Sequence, residues 1–249
     1  MILLGVVFAG LLWRSAGSAH QRQHMRARFL DDCQPLLISG RKAIAETGFP
    51  RLSGQFRGRT FDIQVVPDSL TFRKLPALWL LVTLPEPLSL RGTFDLMMRP
   101  TGLETFSRFP NLPRQIAPPA GFPVECNIRT DAPDALPSES LLRRHLARLA
   151  DDRLKELVVA PTGVRIVWLV EEADRGRYLL FRDAEMGRVA LSPDVLEPLM
   201  NALCVALRAP DTGRPKAKAW VLTVSTSVLA NSITGVAEAV AAGALAALR

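Results

Sequence analysis

The chain has 249 residues, 48% hydrophobic and 22% charged, which excludes an intrinsically disordered chain and leaves core enough for one large domain or two small ones. One Tyr and four Trp provide no stacking platform for single-stranded nucleic acid. The net charge of +7 sits in two short arms: residues 29–213 carry 23 basic and 23 acidic side chains, and the surplus is Arg14, Arg22, Arg26 and Arg28 at one end and Arg214, Lys216 and Lys218 at the other, which argues against a DNA-binding body.

The first 13 residues, MILLGVVFAGLLW, carry no charge and are followed by Arg14. A helix of that length rises about 20 Å, and the small residues up to Ala19 extend it toward the roughly 30 Å of a bilayer core. Positive charge after the apolar run predicts a membrane anchor over 1–19 with the body in the cytoplasm. The alternative is an export signal cleaved after Ala19. Arg14, Arg22, Arg26, Arg28, Arg214, Lys216 and Lys218 are then the expected contacts to lipid headgroups.

Residues 20–50 read as a basic, helical lead-in. Met25, Phe29, Leu30 and Cys33 recur at helical spacing until Pro35, and a short helix is expected through Ala43 and Ile44. The period then changes. In TFDIQVV (60–66) apolar and polar residues alternate, as in a half-buried strand; GQFRGR precedes it and pairs through a turn at Arg57-Gly58-Arg59. LWLLVTL (78–84), between Pro76 and Pro85, reads as a buried strand, and TFDLMM (93–98) follows. Together these predict a β-meander of four or five strands. Residues 100–123 hold six prolines, which forbid a long helix or a central strand; their Phe and Leu residues suit a connection packed on the sheet.

VECNIRT (124–130) reads as another strand. LLRRHLARLA (141–150) reads as a helix with Leu141, Leu142, Leu146 and Leu149 on one face. Three strands are expected at 155–161, 163–172 and 176–183, with hairpin turns at 161–163 and 173–176. Ser192-Pro193-Asp194 opens a helix, and 219–248 is an apolar tail rich in small residues. The predicted fold class is α+β: an antiparallel sheet (β-meander, then β-α-β-β-β-α) with packed helices, preceded by an N-terminal hydrophobic helix and followed by an apolar C-terminal helix. The domains read as 1–19 anchor, 20–50 lead-in, 51–213 body (with subdomains 51–99 and 124–208) and 214–249 basic arm plus apolar helix.

Motifs for chemistry are missing from the sequence: it contains no HExxH, GxGxxG, GxxxxGK[ST] or GxSxG. Cys33, Cys126 and Cys204 are far apart and odd in number, so they predict no disulfide framework and read as small buried hydrophobes. His145 shares a helix face with leucines. Asp151-Asp152 and the Glu171, Glu172, Asp174 group read as solvated turn charges, the latter with a divalent cation as the alternative. No catalytic, cofactor-binding or metal-ligating residue is expected. Arg57 and Arg59 at one hairpin, and Arg143, Arg144 and Arg148 opposite the helix leucines, are candidate contacts for an acidic partner or headgroup.

The expected function is a membrane-tethered, non-catalytic interaction or accessory module on the cytoplasmic side. It would bind membrane lipid, a membrane protein complex or another copy of itself, without nucleic acid or cofactor. The alternatives are an exported soluble binding protein released after Ala19 and an enzyme with an Arg/carboxylate site.

Overall fold

The computed structural model describes residues 20–69, 75–101, 104–136, 152–181 and 184–206. Within these, the chain is a large antiparallel sheet with few helices. The strands are β1 (Ile38–Ile44), β2 (Pro50–Phe56), β3 (Arg59–Asp68), β4 (Ala77–Leu84), β5 (Phe94–Met98), β6 (Arg114–Ile116), β7 (Cys126–Thr130), β8 (Leu154–Ala160) and β9 (Gly163–Glu172). They form one nine-stranded sheet in the order β1-β2-β3-β4-β9-β8-β5-β7-β6. Strands from both sides of the Pro-rich connection therefore share a single sheet.

The β2–β3 hairpin follows from its turn chemistry. Phe56 pairs with Arg59 across a two-residue turn, in which Arg57 has φ 52 and Gly58 φ 77. Left-handed conformation at both positions gives the turn whose twist matches that of the flanking strands. The alternation then places Phe61, Ile63 and Val65 on one face, where all three are buried. Gly54, opposite Phe61, is required by a close approach: a Cβ there would lie 2.9 Å from the Leu37 Cβ and 3.1 Å from the Gly40 Cα.

That face carries the main core. The helix Pro193–Ala206 packs against β4, β9 and the 3-10 turn Asp31–Leu36 and buries Leu196, Leu199, Met200 and Leu203, each burial contributing about 1.5–3 kcal/mol. Phe29 and Phe49 meet edge to face at 5.8 Å. Leu191 N–H donates to the Phe29 carbonyl at 2.8 Å, tying the N-terminal segment to the start of this helix. The three cysteines are free and buried; burial pushes the Cys33 thiol up to about 12, so it packs as an inert hydrophobe.

Three expectations need correction. The helix expected through Ala43 and Ile44 is instead β1, whose Ala43 pairs with Arg51 and Ile44 with Pro50. A stretch this short gains more from ladder bonds to β2 than from an isolated turn of helix. The strand expected at 176–183 is a helix over Arg175–Phe181. β4 and β9 pair along one edge of β9 and β8 along the other, leaving no edge for a third hairpin strand, while Asp174 accepts from Arg177 N–H at 2.7 Å and caps a helical turn. Finally, the transmembrane, single-pass reading is corrected: among the described residues no helix is long and apolar enough to cross a membrane, and their regular structure is mostly antiparallel sheet. The two segments that carried that reading, 1–19 and 219–248, and the helix expected at 141–150 lie outside the described residues.

Candidate functional site

The second face of the sheet changes character along its width. Over β2 and β3 it is polar, and Arg51 pairs with Asp62 at 2.6 Å. Toward β4 and β9 it turns apolar: Trp79 pairs with Leu169 and Leu81 with Val167, and cross-strand partners share a face. Over β5 and β8 it carries charged groups that are nevertheless buried: Asp95, Lys155 and Glu156, with Glu104 from the segment that follows β5.

A bulge in β8 explains how two consecutive charges reach one face. Leu154 pairs with Trp168 and Glu156 with the next residue back, Val167, so Lys155 is an extra residue inserted between two successive ladder pairs. Such a bulge breaks the alternation and re-aims a side chain. Lys155 Nζ consequently reaches Glu104 Oε1 at 2.9 Å and the Arg99 carbonyl at 2.7 Å, while Glu156 accepts from the Ser107 hydroxyl. Thr101 donates to the same Glu104 oxygen twice, from N–H at 2.7 Å and from Oγ1 at 2.8 Å. The segment leaving β5 is thus strapped to β8 by two side-chain ties. Phe106, stacked at a tilt 5.3 Å from Trp79, and the buried Phe109 supply its apolar contacts.

The buried acids divide into two electrostatic classes. Glu104 is desolvated, which raises the proton affinity of its carboxyl; the Thr101 hydrogen bonds and Lys155 outweigh this and hold it at about 2. Asp95 and Glu156 go the other way. Their burial, augmented for Asp95 by the Glu156 charge and hydrogen bond, pushes Asp95 up to about 9 and Glu156 to about 7, against the pull of Arg165. Two like charges this deeply buried cannot both ionise at neutral pH, so the pair retains a proton.

Beside the strap lies a half-open cleft of about 310 Å³. Its apolar floor is Leu75, Ala77, Trp79 and Leu169; Arg99, Arg153 and Lys155 bring positive charge to its lining, and Asp68, Glu104, Asp152 and Glu172 negative charge. Asp95 and Glu156 are not part of that lining. Arg99 is fixed at the rim, its guanidinium donating to the Asp152 carbonyl.

Of the arginines singled out by sequence, the described ones, Arg22, Arg26, Arg28, Arg57 and Arg59, do not line the cleft. Arg57 stacks over the Phe56 ring at 5.3 Å and Arg59 pairs with Glu86 at 2.6 Å. Arg26 lies 5.5 Å from the Phe49 ring centroid and Arg28 pairs with Asp31 at 3.3 Å; Arg22 belongs to the helical segment 20–27. Arg14, Arg143, Arg144, Arg148, Arg214, Lys216 and Lys218 lie outside the described residues, as does His145. Of the acidic turn group, Glu171 accepts from Gly187 N–H at 2.9 Å, Asp174 caps the helix and Glu172 lines the cleft; no metal-holding cluster occurs among the described residues.

Sequence reasoning missed the cleft and the strap. The available signal was charge inside two largely apolar strands, Asp95 in FDLMM and the Lys155-Glu156 pair in LKELVVA. A solvated edge residue and a buried site residue look alike in such a pattern. The chain matches no protein-family model, no curated protein and no solved structure.

Proposed function

We propose that the protein is a small-molecule-binding module whose ligand sits in the cleft between the strap and the ends of β3, β4 and β9. One observation carries the reading: an indole floor, Trp79 with Leu169, is framed by charged groups of both signs in a cleft of about 310 Å³. That is the low end of the range for ligand pockets, in which apolar walls give affinity and a few polar groups fix orientation. Lys155 and Glu104 satisfy one another, so they set a rigid wall without needing the ligand. Binding is favoured over catalysis because the acids with raised proton affinity, Asp95 and Glu156, lie outside the cleft lining, and a general acid must reach the proton it moves.

The test is a thermal-shift screen of the full chain against amino acids, short peptides, sugars, nucleotides and organic acids, with calorimetry on each compound that raises Tm. Trp79→Ala should weaken binding at least tenfold. Failure of every compound at millimolar concentration, or binding indifferent to Trp79→Ala, would overturn the assignment. The same cleft would serve a cytoplasmic chain or one exported after cleavage at Ala19, and an N-terminus at His20 in purified protein would mark the exported form.

A further inference from the structure

The arrangement of charge around the cleft narrows the ligand class, an inference that rests on the binding reading above. We infer that the ligand is a zwitterion of amino-acid or short-peptide type, with its ammonium toward Glu172 and its carboxylate toward Arg99. The register sets the acidic end. Ala77 at the start of β4 pairs with Asp68 of β3 on one side and Glu172 of β9 on the other, so all three share one row and one face. Adjacent strands are about 4.8 Å apart, which puts the two carboxylate-bearing strands roughly 10 Å from one another. Ala77 contributes only a methyl between them, leaving an acidic notch. Asp68 is buried and Glu172 exposed, so Glu172 is the acid within reach of an incoming ammonium.

The basic end comes from other strands. Leu169 N–H donates to the Arg153 carbonyl at 2.8 Å, which places Arg153 on the β8 side of the floor. Arg99 leaves β5 beside it, its carbonyl holding Lys155 and its half-exposed guanidinium anchored to the Asp152 carbonyl and 3.7 Å from the exposed Glu125 carboxylate. Between the two ends lie the Trp79 and Leu169 side chains. A guanidinium matches a carboxylate with paired donors, and an ammonium carries three donors and no acceptor. A ligand with one charge of either sign meets a like charge at one end, whereas a zwitterion is complemented at both. The apolar floor suits an aliphatic or aromatic side chain.

The experiment is calorimetric titration of the full chain with the dipeptide Leu-Leu, its N-acetylated form and its C-terminal amide. The free dipeptide should bind at least tenfold more tightly than either derivative. Glu172→Lys should cost the dipeptide tenfold or more and leave the N-acetylated form within about twofold; Arg99→Gln should instead spare the amide. Glu172 is an exposed strand-end residue, and circular dichroism would verify that its variant keeps the sheet. Equal binding of all three compounds, lost on Trp79→Ala, would overturn the zwitterion assignment and leave the cleft a binding site. No saturable binding by any compound here or in the wider screen would overturn both.

Discussion

The polar face over β2–β3 and the same face over β5–β8 belong to one sheet yet handle charge in opposite ways. In the first region Arg51 and Asp62 meet at the surface, with the arginine side chain 55% exposed; solvent screens the pair and the fold does not depend on it. In the second, the strap covers the strands, and Lys155 and Glu104 are 8% and 2% exposed. There each charge has to be matched, because a buried ion left alone costs several kcal/mol. A covering segment converts ordinary strand polarity into a rigid, specific arrangement, and the cleft forms along its border.

The contrast can be broken from the inside outward. Lys155→Met strands Glu104 in the interior and should destabilise by about 3–5 kcal/mol in urea unfolding; the double variant with Glu104→Met should recover most of that loss. Phe61→Ala, on the fully buried face common to both regions, should cost about 3–5 kcal/mol wherever the charges lie, so its effect should not change with salt. Next in size is a pH effect. Asp95 and Glu156 bind protons more tightly folded than unfolded, so their contribution is full below about pH 4 and is lost as pH rises through about 7 and 9. Glu104 acts oppositely, its contribution present above the unfolded carboxyl value and lost as pH falls toward 2. Thermal unfolding between pH 5 and 9 should therefore show falling stability, and Asp95→Asn should flatten that slope; an unchanged slope would contradict the raised proton affinity of Asp95. Smallest of all, Arg51→Ala should cost only about 0.2–1 kcal/mol and lose its effect in 1 M salt.

Much of the sheet was readable in advance, for local reasons. The alternation of Phe61, Ile63 and Val65, the Arg57-Gly58 turn and the apolar run at 78–84 each express a preference that acts over a few residues. β1 and the helix Arg175–Phe181 were not readable, because their state depends on what is already paired beside them. The cleft was less visible still. Its members come from β3, β4, β8, β9 and the strap, and Lys155 joins them only through a bulge that no alternation pattern announces.

Sequence alone determined where most strands and turns fall, which strand face is greasy, and that surplus positive charge sits at the ends. These depend on side-chain period and turn chemistry, which are properties of short segments. The tertiary structure alone decided that β9 inserts between β4 and β8, and that Asp95 and Glu156, far apart in sequence, are buried on adjacent strands β5 and β8. Strand neighbours and solvent access are settled by competition among long-range pairings, and a residue acquires its electrostatic role only after that competition has chosen what covers it.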